Sequence, residues 1–276
     1  MQIDAHFHCW QLNRADYAWL TPQLGLIYRD VGVADWQAVS QSTGMAAGVL
    51  VQAAATEAET QYLLALADAN PCVLGVVGWV DMAAANAVQR IASLAHNPWL
   101  KGLRPMLQDL AEPDWILQPA VQPALEAMAA LGLVLDALVK PVHLPHLLSL
   151  CRQHPQLKVV IDHGAKPAIA AAQWQPWAGD MARLAHETSA SCKLSGLLTE
   201  AGAAPAPDAA AAYIAHLLAS FGAWRLLWGS DWPVLELATS YAAWWTACQT
   251  AMAGLAVPER AAVFGGNAQR VYGLAA

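Results

Sequence analysis

Eight short apolar runs punctuate the chain at intervals of roughly 25 to 45 residues: Gln2–His8, Ala46–Gln52, Cys72–Asp81, Leu100–Pro105, Leu133–Val139, Leu157–His163, Ala190–Ser195 and Trp224–Asp231. Between them lie alanine- and leucine-rich segments with helical spacing, such as Glu57–Ala69, Ala83–Ala95, Val121–Ala130 and Ala178–Thr188. Short buried strands alternating with helices predict βα units and a parallel sheet. Eight such units in 276 residues match the count and size of a (β/α)8 TIM barrel, here one domain over residues 1–276. A doubly wound sheet is the main competitor, but no GxGxxG turn follows the first run. Ala201–Ala212 is low in complexity yet short, and reads as a loop on a single domain.

The runs share a second feature. Most end in polar groups: His6 and His8, Gln52, Asp81, Arg104, Asp162 with His163, Lys193 with Ser195, and Asp231. Barrel enzymes place their chemistry at the C-terminal ends of the strands. Residues two apart on a strand share a face, so His6 and His8 project side by side. Two imidazoles and a carboxylate from opposite ends of a chain are the raw material of a metal-assisted hydrolase. The plainer reading is a polar strand end facing water.

Parity sorts the neighbours. Asp162 has the opposite parity to His163 and is expected in the helix layer as a structural partner, while Cys9 is core filler beside the histidine pair. His163 is either a site residue or a core histidine bonded to a carbonyl. Arg104, inside a barrel, must be paired or face substrate. Lys193 and Ser195 share a parity, and either can reach the mouth. Trp79 and Trp232 stand at strand tips, where flat rings suit a sugar-derived face, with core packing as the competing role.

Composition narrows the partners. Apolar residues make up 57% and charged residues 13%, which predicts a large core with little charged surface. No stretch approaches the roughly 18 apolar residues of a membrane span. Five cysteines, an odd number without a CxxC pair, argue for reduced thiols and a cytoplasmic protein. A site that begins at His6 leaves no room for a signal peptide. A net charge of −7 with 14 basic residues argues against a nucleic-acid partner. A small molecule remains the expected partner.

DAHFH at 4–8, KGLRP at 101–105, VVIDHGAKP at 159–167, CKLSG at 192–196, LLWGSDWP at 226–233 and FGGNAQRVYGL at 264–274 resemble the amidohydrolase superfamily. More narrowly, they are similar to its amidohydrolase-2 branch of sugar-lactone hydrolases, which includes fuconolactonase- and rhamnonolactonase-like enzymes. The resemblance implies a distorted barrel that opens a sugar lactone to the aldonic acid. By that resemblance the catalytic residues would be Asp231, His163, His6 and His8, with Arg104 toward substrate. Gln52, Trp79, Trp232 and Lys193 are expected toward substrate from their places at strand tips. Asn267 resembles a structural cap. One departure matters: LVLDALVKP at 133–141 offers Asp136 and Lys140 but no strand-five histidine. The resemblance therefore implies at most one divalent metal, zinc by preference, on His6, His8 and Asp231 with His163 in reach. It is dispensable in those branch members that work without one. Related branches hydrolyse amides or decarboxylate, and a degenerate sugar-binding barrel is the non-enzymatic alternative.

A lactone is a cyclic ester, so its hydrolysis needs an activated water, a polarised carbonyl and a proton for the departing ring oxygen. Asp231 is expected to accept the water proton and return it to the leaving alkoxide. Arg104 and His163 are expected to donate to the developing oxyanion. His6 and His8 either hold a metal or donate directly to water or substrate.

Overall fold

Each of the eight apolar runs contains one strand of a parallel barrel, seen in a computed structural model that describes residues 1–206 and 208–275. The strands are β1 (Ile3–Phe7), β2 (Ala47–Val51), β3 (Val73–Gly78), β4 (Leu100–Leu103), β5 (Val134–Ala137), β6 (Lys158–Ile161), β7 (Ser191–Leu194) and β8 (Leu226–Trp228). The helices that follow them in turn are α1 (Val33–Ser40), α2 (Glu57–Ala69), α3 (Ala87–Leu94), α4 (Gln122–Ala130), α5 (Leu144–Gln153), α6 (Trp177–Glu187), α7 (Ala211–Phe221) and α8 (Tyr241–Ala251). Two more α-helices, α9 (Val257–Ala261) and α10 (Asn267–Tyr272), follow toward the C-terminus. The last two residues of the low-complexity stretch, Ala211 and Ala212, already belong to α7, so the loop is shorter than expected, and its Pro207 lies outside the described residues. Among the described residues no helix is long and apolar enough to cross a membrane.

Strands pair in chain order from β1 to β8. The ring closes just past β8, where His8 N donates to Trp232 O and Asp231 N donates to His6 O, both at 2.8 Å. That seam joins the two ends of the sequence and brings their polar tips together.

Side-chain alternation divides the sheet into two faces. Phe7, Leu50, Ile161, Leu194 and Trp228 face outward into the core shared with the helices. Ile3, Ala5, Val49, Val51, Val77, Val134, Val160 and Leu227 fill the lower barrel, plugged from below by Ala268, Val271, Tyr272 and Leu274. With both faces buried, the strands read as continuous apolar runs rather than alternating ones. Asn267 holds the plug in place, its amide donating to Ala223 O and Leu226 O at 2.8 Å each.

β1 carries a bulge. Asp4 pairs with Gly48 but Phe7 with Leu50, so three steps on β1 face two on β2. An extra residue re-aims the side chains beyond it. Asp4 consequently points outward while His6 and His8 point in. Its carboxylate accepts from His6 N (3.1 Å), Trp36 Nε1 (3.0 Å), Ser230 N (2.8 Å), Ser230 Oγ (2.6 Å) and Tyr241 Oη (2.9 Å). One buried side chain thus ties β1 and the β8 seam to α1 and α8.

Candidate active site

The upper half of the barrel interior is polar. His6 and His8 come from the bulged end of β1, Arg104 follows β4, Asp136 lies on β5, and Asp162 and His163 follow β6. Lys193 lies on β7, and Asp231 follows β8. All eight are buried. Close approach of β8 to β1 depends on Gly229, where a Cβ would stand 2.8 Å from His6 Cβ.

His8 has its tautomer fixed. Its Nδ1–H donates to Val51 O at 2.7 Å, which leaves the Nε2 lone pair facing inward. His8 Nε2 lies 3.2 Å from His6 Nε2 and 3.2 Å from Asp231 Oδ1. His6 Nε2 is 3.6 Å from the same carboxylate oxygen. His163 Nδ1 meets Ser195 Oγ at 2.9 Å, and its Nε2 lies 3.9 Å from Asp231 Oδ1. Asp231 and His163 both adopt left-handed backbone, φ 59° and 53°, a strained conformation for non-glycine residues that recurs at functional sites.

Beneath the histidines runs a network of ion pairs. Lys193 Nζ sits 2.5 Å from Asp136 Oδ2, 3.0 Å from Asp162 Oδ1 and 3.0 Å from His6 Nδ1. An ammonium can only donate, so His6 Nδ1 accepts and the neutral ring carries its proton on Nε2, toward His8. Arg104 Nη1 donates to Asp162 Oδ2 at 3.2 Å, and its Nη2 donates to Gln52 O. Tyr272, rising from the α10 plug, donates to Asp136 Oδ1 at 2.8 Å.

These surroundings set the charge states. Burial, reinforced by Lys193, holds the His6 imidazole well below its ordinary range, and burial lowers His163 to about 4. Burial alone would raise Asp231, but His163, His8 and His6 outweigh it and hold the carboxyl far below its usual value. Lys193 and His6 likewise overcome burial at Asp162, which is also lowered. At Asp136 burial prevails and lifts the carboxyl to about 6. Near neutral pH the mouth therefore presents an ionised Asp231 beside two uncharged rings, His6 and His163.

Above this floor opens a cavity of about 270 Å³, lined by His8, Arg104, His163 and Asp231 together with Trp19, Gln108, Asp109 and Lys166, among others. Not every residue assigned from sequence reaches it. Gln52 is fully buried and donates to Arg104 O at 2.7 Å, so it positions the arginine from behind. Lys193 lies under His6 within the ion-pair network. Trp232 is wholly buried, its indole donating to Glu236 Oε1 at 2.7 Å, and Trp79 stands off the cavity on the α2 side, its amide donating to Thr60 Oγ1. Asp162 corrects the parity argument most clearly. It shares its face with inward-pointing Val160, so its carboxylate enters the barrel rather than the helix layer. His163, on the opposite parity, reaches the mouth because its left-handed backbone turns it there. The aromatic face on the cavity is Trp19, from the loop after β1, which donates to Ala53 O at 2.7 Å. That loop has no hydrophobic period to reveal it.

The donor set suits a divalent cation. A tetrahedral zinc with bonds of about 2.0–2.1 Å requires ligand atoms roughly 3.3 Å apart. Nε2 of His6, Nε2 of His8 and Oδ1 of Asp231 lie 3.2, 3.2 and 3.6 Å from one another. A cation there would replace the proton His6 directs at His8. His163 joins the group as well, since His6, His163 and Asp231 each offer a donor atom within 4.8 Å of the others.

A parallel barrel with imidazoles and a carboxylate gathered at its strand tips defines a hydrolase-type site. The amidohydrolase family model matches residues 3–274, and the chain belongs to that family. It is 46% identical over 275 residues to an L-fucono-1,5-lactonase of Burkholderia ambifaria, covering 98% of this chain and 95% of that one. It is 33% identical over 291 residues to an L-fucono-1,5-lactonase of Burkholderia multivorans, covering 99% and 96% respectively. An amidohydrolase of Burkholderia multivorans crystallised with bound zinc superposes over 100% of both chains, with a TM-score of 0.93 and 32% identity.

Proposed function

We propose that this protein is a lactonase that opens sugar-derived lactones to their aldonic acids, with L-fucono-1,5-lactone the first substrate to test. The observation that carries the reading is the ionised Asp231 carboxylate, ringed by His6, His8 and His163 and opening beside Arg104 onto a cavity of about 270 Å³. Two full-length relatives named L-fucono-1,5-lactonase support it.

The geometry suggests how each group acts. Asp231 stays ionised across the working pH range and is always available to receive the attacking water's proton. The departing ring alkoxide is far more basic than the carboxylate and takes that proton next. Arg104 Nη1 and His163 Nε2 face the same space and can donate to the carbonyl oxygen as negative charge develops. Gln52 and Asp162 keep the guanidinium from moving. When a zinc ion is bound by His6, His8 and Asp231, with His163 in reach, it supplies Lewis acidity and lowers the pKa of a bound water. Trp19 offers the sugar ring an apolar face. Five free cysteines suit a reducing compartment, and we place the protein in the cytoplasm.

The test is acid release from a panel of aldonolactones by the purified chain, with and without chelator. Release from L-fucono- or L-galactonolactone above the spontaneous rate is expected. A rate no higher than spontaneous on every aldonolactone, with zinc supplied, would overturn the reading.

A further inference from the structure

Two basic and two acidic side chains line the cavity: Arg104, Lys166, Asp109 and Asp231. Both cations are already engaged. Arg104 is charge-paired with Asp162 and held by Gln52 O, and the donor it keeps for the cavity is the one assigned to the reacting carbonyl rather than to a second anionic group. Lys166 Nζ lies 2.7 Å from Glu200 Oε1, and the two side chains are only 21% and 25% exposed. This second pair is built into the rim. Lys166 is held at φ 49°, and its N–H donates to His163 O at 2.9 Å. Glu200 stands on the turn Thr199–Ala201 after β7, where its own carbonyl accepts from Ala170 N at 3.0 Å. In the same turn Thr199 Oγ1 donates to Gly196 O at 2.7 Å. Both backbones are pinned, so the ion pair is preformed.

The consequence concerns which lactones can enter. A substrate carboxylate would meet Asp109 and Asp231 and find no unpaired cation on the described cavity wall. To gain one it would have to displace Glu200 from a partner already at contact distance. A neutral, hydroxyl-rich lactone meets no such opposition. Resting on the lactonase reading above, we infer that Glu200 is a specificity-determining residue. By holding Lys166 it restricts the site to lactones without a carboxylate. The ammonium of lysine is a mobile point charge, so once released it can swing toward an anionic substrate. Unpaired like charge against the wrong ligand, rather than new attraction to the right one, is the discriminating element.

The test compares kcat/KM of the purified full chain on L-galactono-1,4-lactone, which is neutral, with D-glucaro-1,4-lactone, which carries a carboxylate. Wild type is expected to favour the neutral lactone. Glu200→Gln keeps the shape and removes the charge. It should raise kcat/KM on the carboxylated lactone by about tenfold, the scale of one rim charge interaction. The neutral lactone should change by less than about threefold, within the range of exposed ion-pair effects. Adding Lys166→Met to Glu200→Gln should abolish the gain. An unchanged preference in Glu200→Gln, a gain that survives Lys166→Met, or a wild type that handles both lactones equally would each overturn the inference and leave the lactonase reading standing. Hydrolysis of neither compound, nor of any other aldonolactone, would remove both.

Discussion

The lower and upper halves of the barrel interior are built from the same eight strands, yet they are filled in opposite ways. Below, Ile3, Val49, Val51, Val77, Val134, Val160 and Leu227 pack together, each at 0% exposure. Above, Arg104, Lys193, Asp136, Asp162 and Asp231 are nearly as deeply buried, with three histidines among them. Fully burying an aliphatic side chain contributes about 1.5–3 kcal/mol. Burying charges costs free energy even when they are paired, and replacing a buried ion pair with apolar residues often stabilises a protein. The upper half is therefore not what holds the barrel together. It is tolerated because each charge has a partner, and its arrangement makes sense only as chemistry.

The largest test of this contrast is Lys193→Met. The substitution leaves Asp136 and Asp162 facing each other without the ammonium between them, and unfolding free energy should fall by about 3–5 kcal/mol. Urea denaturation measures it; a loss below about 1 kcal/mol would mean the network is solvated rather than buried. In the lower half, Leu227→Ala removes packing and nothing else. It should cost about 2–5 kcal/mol of stability while the kcat of the folded protein stays within about twofold. A matching fall in kcat would blur the division between the halves.

Acid should act on the upper half through His163. The folded pKa of His163, about 4, is depressed below the ordinary imidazole value of 6.5, so the unfolded chain binds the extra proton between those limits. Stability conferred by the neutral ring is complete above pH 6.5 and is lost as pH falls toward 4. In metal-free protein the loss from this residue alone is about 2 kcal/mol between pH 7.5 and pH 5. The difference in pH dependence between wild type and His163→Gln isolates it, since raised carboxyls such as Asp136 and Glu59 shift stability the other way over the same interval. Urea midpoints that vary with pH identically in the two proteins would contradict it. The smallest effect belongs to the rim: Trp19→Ala should raise KM several-fold, about 1 kcal/mol of lost ring contact, with kcat little changed.

Sequence legibility divides along the same line. Strand positions and the barrel follow from the spacing of apolar runs, because buried parallel strands have a compositional signature that helices interrupt. The histidine pair, Arg104 and Asp231 are likewise visible as polar ends of those runs. Parity does not predict side-chain direction where the backbone departs from a regular pleat. The bulge in β1 turns Asp4 away from the histidines with which it shares even numbering, and left-handed φ values at His163 and Asp231 set their directions independently of strand alternation. Assigning Asp162 outward followed from treating His163 as the regular residue. Trp19, Gln108 and Lys166 lie on irregular segments, where neither period applies. The Asp231 carboxyl lies so far below its usual value that an acid limb in the rate profile would report His163 rather than Asp231.

The kcat of Asp231→Asn on an aldonolactone, measured on protein whose circular dichroism and melting temperature match wild type, bears most directly on hydrolysis by the upper half. The amide keeps the size and the backbone position but cannot take a proton. A fall of roughly 10² or more is predicted, with the barrel intact. Hydrolysis at near the wild-type rate would contradict the site proposed here and move the work of activating water to His163 or to a bound metal alone.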